Sequence, residues 1–196
     1  GMHRMPSRCF FLAAIIAMLS ACAVAPVAER PQTREVRVLT LNLWHDKGDW
    51  PKRRDLIVEE VRRLKPDLIA LQEVLQRPGL PNQAEDLGRT LGYRVSFVSV
   101  DPPAAERRYG NAILLAGAGS PVQEFKLEPL NDYRTAAHVR ADGDARHAGV
   151  DFYATHLHNE RDGGAIRQRQ IDSLLGFVDA TARGGATIVA GDFNTD

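Results

Sequence analysis

The sequence predicts a single α/β domain with mixed strand pairing. Three observations carry that reading. Strand-like and helix-like stretches alternate from Val36 to the end of the chain. The 196 residues include 44% hydrophobic and 26% charged side chains, the profile of one globular domain with a substantial core. No internal repeat or low-complexity segment interrupts the alternation, which is the pattern of sheets covered by helices.

"VRVLTLNLW" (Val36–Trp44) has a period of two. Leu39, Leu41 and Leu43 fall on one face and Val36, Val38, Thr40 and Asn42 on the other. A helix is predicted next, with Asp49 as N-cap, Pro51 in its first turn, Ile57, Val61 and Leu64 as its apolar stripe and Pro66 as its stop. Asp67–Val74 reads as a buried strand, Asn82–Leu91 as a short helix ended by Gly92, and Tyr93–Val100 as a further strand before a Pro- and charge-rich loop. Gly110–Ala116 and Val122–Glu128 are strand-like. Tyr133–Ala141 and Ala148–Leu157 pair as a hairpin through "DGDA". A long helix over Gly164–Ala182 carries Ile171, Leu174, Leu175, Val178 and Ala182 at helical spacing, and "ATIVA" (Ala186–Ala190) is the last strand.

The first residues are of another kind. Arg4 and Arg8 precede the apolar run Phe10–Leu19, which is shorter than the roughly 20 residues of a spanning helix. "LSAC" (Leu19–Cys22) resembles the lipobox of bacterial lipoprotein signal peptides, although an ordinary secretory signal or an uncleaved anchor fits the same composition. The resemblance implies a signal peptide over residues 1–21, with Gly1 before Met2 as a cloning remnant. It also implies a lipidated Cys22, a lipid-anchor tether over residues 22–34 and the folded domain over residues 35–196. The chain would then be exported and held on the periplasmic or cell-surface face of a bacterial membrane. Two acyl chains give a durable anchor where one does not. Loss of Cys9 with the signal and occupation of Cys22 by lipid leave no pair for a disulfide or a cysteine metal site. Lys plus Arg and Asp plus Glu both number 25, and no basic stripe is visible, which weighs against a dedicated nucleic-acid binder.

Several predicted strands end on polar residues that strands avoid. Asn42 interrupts "LTLNLW", Glu73 closes "LIALQE", His156 follows "FYAT", and Asp192 and Asn194 follow "TIVAG". Singly, each has an ordinary reading: a bulge, a solvated strand end, a hydrogen-bonded core histidine, a turn. Together they offer carboxylate and amide oxygens on rigid strand tips. Those are the ligands a hard cation such as Mg²⁺ takes beside water and phosphate.

The ordered stretches "LTLNLW", "LIALQEV", "YGNAILL", "ATHLHN" and "IVAGDFNTD" resemble the motifs of the endonuclease/exonuclease/phosphatase superfamily, from Val36 to the last residue. The resemblance implies a DNase I-like four-layer β-sandwich flanked by helices, and Mg²⁺-dependent hydrolysis of a phosphoester by in-line attack of water, with Mn²⁺ as a possible substitute. Glu73 would be the main metal ligand, with Asn42 beside it. His156 would stabilise charge on the phosphate, Asp192 would orient or deprotonate the attacking water, and Asn194 would hold a phosphoryl oxygen. Tyr109, Asn111 and Arg134 would contact substrate. For Arg134, as for Arg167 and Gln170, a purely structural role fits equally well. The substrate would be a phospholipid head group, a sugar phosphate or nucleic acid.

In that family further strands and a terminal Asp-His motif follow "GDFN". The sequence ends at Asp196, so the expectation is a fold incomplete at its C-terminal end and a chain of greatly impaired activity. The competing reading is a non-catalytic lipoprotein that uses the same scaffold to bind a phosphorylated ligand or a protein partner.

Overall fold

The structure, a computed structural model, describes Gly1, residues 35–143 and residues 148–195. The chain divides into two units, Gly1–Pro31 and Gln32–Asp196. Apart from Gly1 the first unit lies outside the described residues, and with it the signal segment and Cys22. The tether lies there too, and the hairpin turn falls partly outside. No described helix is long and apolar enough to cross a membrane.

Strand β1 (Val38–Asn42) runs parallel to β2 (Leu68–Gln76), and the helix α1 (Trp50–Leu64) makes the crossover. Asp49 caps α1 as predicted, its side chain accepting from the Lys52 N–H at 3.1 Å, which satisfies one of the free donors at a helix start. The apolar stripe is rotated from its predicted position. Trp50, Val58 and Val61 are buried, whereas Leu64 is exposed.

Helix α2 (Gln83–Leu91) follows the sequence signals closely. The Asn82 side chain accepts from the N–H groups of Ala84 and Glu85, and Gly92 closes the helix in the left-handed conformation. After it come β3 (Arg94–Ser99) and β4 (Arg108–Leu115), the latter starting two residues before its predicted beginning. β4 lies between β2 and β3, so the first sheet has the order β1-β2-β4-β3.

The second sheet has the order β5-β6-β7-β8. It is built from β5 (Gln123–Lys126), the hairpin of β6 (Thr135–Ala141) and β7 (Val150–His156), and β8 (Ala186–Asp192). β8 runs parallel to β7 after the crossover helix α3 (Gly164–Thr181). In α3 the buried residues are Gln170, Leu174 and Phe177, not the predicted Leu175, which is exposed. The Phe177 ring stacks on Phe125 at 4.8 Å and meets Tyr153 edge-on at 5.7 Å, so aromatic packing sets which side of α3 faces the sheet.

Three apolar clusters give the layers. Leu39, Leu41, Ile69, Leu71 and Leu114 seat α1 and α2 on the outer face of the first sheet. Ala70, Ile113, Ala137, Phe152 and Ala190 join the two sheets face to face. Ala136, Tyr153, Leu174 and Phe177 seat α3 on the outer face of the second. The result is helix–sheet–sheet–helix, the four-layer sandwich. Each sheet contains one βαβ unit, β1-α1-β2 and β7-α3-β8.

Candidate active site

The carboxyl ends of parallel strands are where open α/β sheets offer clefts. Here the two βαβ units bring such ends together. Asn42 ends β1, His156 ends β7 and Asp192 ends β8, with His156 and Asp192 directly paired in register.

Glu73 reaches the same place by an irregularity. The pairing of β2 with β4 shifts between Leu71 and Val74, and Glu73 has φ 54°, the left-handed region. This β-bulge turns the Glu73 carboxylate toward the end of the sheet while Leu71 and Val74 stay in the same core cluster.

Asn42 links these groups. Its Nδ2 donates to Glu73 Oε1 and to Asp192 Oδ2, each at 3.0 Å. Its Oδ1 accepts from the Trp44 N–H at 2.8 Å, which fixes the amide so that nitrogen faces the carboxylates. Asn42 therefore stands beside Glu73, as the sequence suggested, but it meets Glu73 as a donor.

Asp192 is held on its other oxygen by the Asn194 N–H at 3.0 Å, and His156 Nε2 lies 3.9 Å from Oδ2. Burial raises the Asp192 pKa, but Asn42, the Asn194 N–H, His156 and Arg134 outweigh it and hold the carboxyl below its ordinary value. Burial, then Arg134, push His156 below the usual imidazole range, against the pull of Asp192 and Glu73. Both shifts favour, at neutral pH, a neutral ring beside an ionised carboxylate. Asn194, at φ 49°, turns its own amide away to donate to the Leu157 carbonyl at 3.0 Å.

These residues line a cavity of about 590 Å³ together with Tyr109, Arg134 and Arg107. Tyr109 shares the cavity wall with Glu73, and burial, then the Glu73 charge, push its pKa far above that of an ordinary phenol. Arg134 donates from Nη2 to Asn159 Oδ1 at 2.8 Å. Asn111 is buried between the sheets, its amide donating to the Thr135 carbonyl and hydroxyl at 3.2 Å, and it lines a recess of about 30 Å³ that shares Tyr109, Tyr133, Arg134 and His156 with this cavity. Gln170 is fully buried and Arg167 donates to the carbonyls of His158 and Glu160, so both brace the turn after β7.

Two carboxylates, Glu73 and Asp192, face the cavity within reach of one amide, a donor set that suits a hard cation. Among the described residues no group of three His, Cys, Asp or Glu side chains is gathered closely enough to hold a metal. A cation here would fill its remaining positions with water or substrate oxygens, as Mg²⁺ commonly does.

Sequence reasoning passed over Asp132, Asn159, Tyr133 and Arg107, all on the cavity wall. Asp132 is the most connected of them. Its carboxylate accepts from His158 Nδ1 at 2.7 Å and Gln170 Nε2 at 2.6 Å, with Arg134 Nε at 3.6 Å. Their signal was faint: Asp132 directly precedes Tyr133 and Arg134, and Asn159 closes "ATHLHN".

The fold recurs in solved structures. It is similar to an endonuclease/exonuclease/phosphatase family protein from Leptotrichia buccalis, with a TM-score of 0.68 and 18% identity over 83% of this chain and 69% of that one. It is similar to the human Nocturnin catalytic domain with bound sulfate anion, with a TM-score of 0.68 and 22% identity over 82% of this chain and 64% of that one. A third is ANGEL2, a 2′,3′-cyclic phosphatase, in complex with adenosine-2′,3′-vanadate, with a TM-score of 0.63 and 18% identity over 82% and 53% of the two chains. At these identities the likeness is one of fold, and the chain spans roughly half to two thirds of their length. No curated protein matches the sequence significantly. The sequence itself matches the model described as Endonuclease/Exonuclease/phosphatase family over residues 39–196. With a match that begins in the first strand and takes in every strand end at the cavity, the chain belongs to the endonuclease/exonuclease/phosphatase family.

Proposed function

We propose that the chain hydrolyses a phosphoester with the help of a divalent cation, Mg²⁺ or in its place Mn²⁺. The observation that carries this reading is the meeting of Glu73 and Asp192 on the Asn42 amide, beside His156 and Arg134 in one cavity. Family membership supports the reaction class, and relatives in the fold are described with bound sulfate and adenosine-2′,3′-vanadate.

Glu73 would hold the cation, its carboxylate fixed by the Asn42 amide. When bound, the cation supplies positive charge to the phosphoryl oxygens and so favours the crowded transition state. Asp192, kept ionised by its donors, orients the attacking water in line with the leaving oxygen. His156, neutral and buried, donates a hydrogen bond to a phosphoryl oxygen, and Arg134 adds a fixed positive charge to the same wall. Tyr109 stands beside Glu73 on the cavity wall. The substrate is a phospholipid head group, a sugar phosphate or a nucleic acid. We further propose that residues 1–21 direct export and that Cys22 carries a lipid anchor, which incorporation of labelled palmitate and its loss in Cys22→Ser would test.

The test of the reaction is hydrolysis of bis(p-nitrophenyl) phosphate with Mg²⁺ and with EDTA. It is run on this chain and on one carrying whatever the same reading frame encodes after Asp196. Turnover that needs the cation and is lost in Glu73→Gln is the expected result. Binding of phosphate without turnover in either chain would favour a ligand-binding role in its place.

A further inference from the structure

Tyr133 is 70% exposed, the highest value among the large apolar side chains of the described residues, yet it lines the cavity that holds Glu73, His156 and Asp192. No ring contact among the described residues involves it. Its backbone has φ 56°, a left-handed conformation that a bulky aromatic adopts only where its surroundings impose it.

Those surroundings are its two neighbours in the chain. Asp132 is tied to the turn after β7 and to α3 through His158 and the fully buried Gln170. Arg134 is tied to the same turn through Asn159. The loop is thus latched on both sides of the ring, and the ring is presented at the cavity mouth with its faces free. A bare aromatic face beside guanidinium groups is what a planar, anionic ligand meets in single-stranded nucleic-acid and nucleotide sites. The only other large apolar side chain exposed on this loop is Leu130, which does not line the cavity. That arrangement suits stacking inside the site better than insertion into a lipid surface.

Resting on the phosphoester reading above, we propose that Tyr133 is a stacking platform for a planar ring carried by the substrate. The site then takes nucleoside phosphates in preference to phosphates of aliphatic alcohols.

Adenosine 5′-monophosphate and ribose 5-phosphate share the phosphate and sugar and differ in the base. Their dissociation constants, measured calorimetrically on the full chain with Mg²⁺, give the test. Stacking of one base predicts a preference of about tenfold for the adenosine compound. Tyr133→Asn, a residue that tolerates the left-handed backbone, brings the ratio close to one. Tyr133→Phe keeps it. Equal constants in the unaltered protein, or a preference that survives Tyr133→Asn, overturn the stacking subsite while leaving the phosphoester site standing. If neither compound binds, the phosphoester reading fails and the subsite falls with it.

Discussion

Glu73 and Asp192, from different sheets, accept hydrogen bonds from the same amide nitrogen, Nδ2 of Asn42, each at 3.0 Å. Two carboxylates so placed repel unless a donor or a cation stands between them. In this structure the donor is Asn42, which is itself held by the Trp44 N–H. Asn42→Ala removes that link and lets the carboxylates part. We expect turnover to fall by about 10²-fold, the usual cost of a misplaced catalytic group. Stability should fall by only about 1 kcal/mol per lost hydrogen bond. Steady-state kinetics and thermal unfolding of the same preparation check both. A rate within twofold of the unaltered protein would show that the shared amide is not needed.

Gly191 and Gly176 should respond to alanine with opposite signs. A Cβ on Gly191 would lie 2.2 Å from the Thr155 carbonyl oxygen, so β8 must move off β7 and carry Asp192 with it. The expected loss is about 1–3 kcal/mol, together with most of the activity. A Cβ on Gly176, on the exposed side of α3, meets nothing within 4 Å. There alanine should add about 0.5–1 kcal/mol by helix propensity alone. Melting temperatures of the two variants decide the matter.

Asp151 links stability to acid. It is fully buried, with His138 Nε2 on one oxygen and Arg140 and the Arg183 N–H on the other. Burial raises its pKa, but the Arg183 N–H, His138 and Arg140 together bring it below the ordinary value. A carboxyl whose folded pKa is depressed contributes stability above its unfolded pKa of about 3.9 and loses it as pH falls through the folded value. Asp151→Asn should therefore cost about 3–5 kcal/mol at neutral pH, as expected when one member of a buried ion pair is removed. It should also flatten the fall in melting temperature between pH 5 and pH 2. An unchanged acid limb would assign acid sensitivity to other carboxyls.

Asp132→Ala should separate positioning from chemistry. It takes away the acceptor of the buried Gln170 amide, which costs about 1–3 kcal/mol for the orphaned donor. It also frees the loop that presents Arg134 to the cavity. KM should rise severalfold with a smaller change in kcat. A fall in kcat alone would place Asp132 in the chemical step.

Much of this was legible in the sequence, for reasons that can be named. Asp49, Asn82 and Gly92 fixed their helix ends because capping is local chemistry between residues two to four apart. Glu73, His156 and Asp192 stood out because polar residues at strand ends contradict their surroundings. The faces of the helices were less legible. Apolar neighbours such as Leu174, Leu175 and Phe177 compete for one side, and the rings of Phe125 and Tyr153, distant in sequence, settle the contest. The placing of β4 between β2 and β3 was also hidden, since strand order depends on contacts that no local period encodes. Asp132 and Asn159 escaped notice because polar residues in loops are unremarkable until partners from another segment reach them.

The irregular step in β2 has one more consequence. Glu73 occupies a supernumerary place in its strand, so none of the three apolar clusters depends on its side chain. The reactive residue can therefore be exchanged while the scaffold keeps its shape. Deleting a single residue there would place Val74 two positions after Leu71, still opposite Gly110 and still on the interior face, so the strand would close into regular pairing. Reactivity is carried by a residue that the interior can do without, and the core of the strand survives either its exchange or its loss.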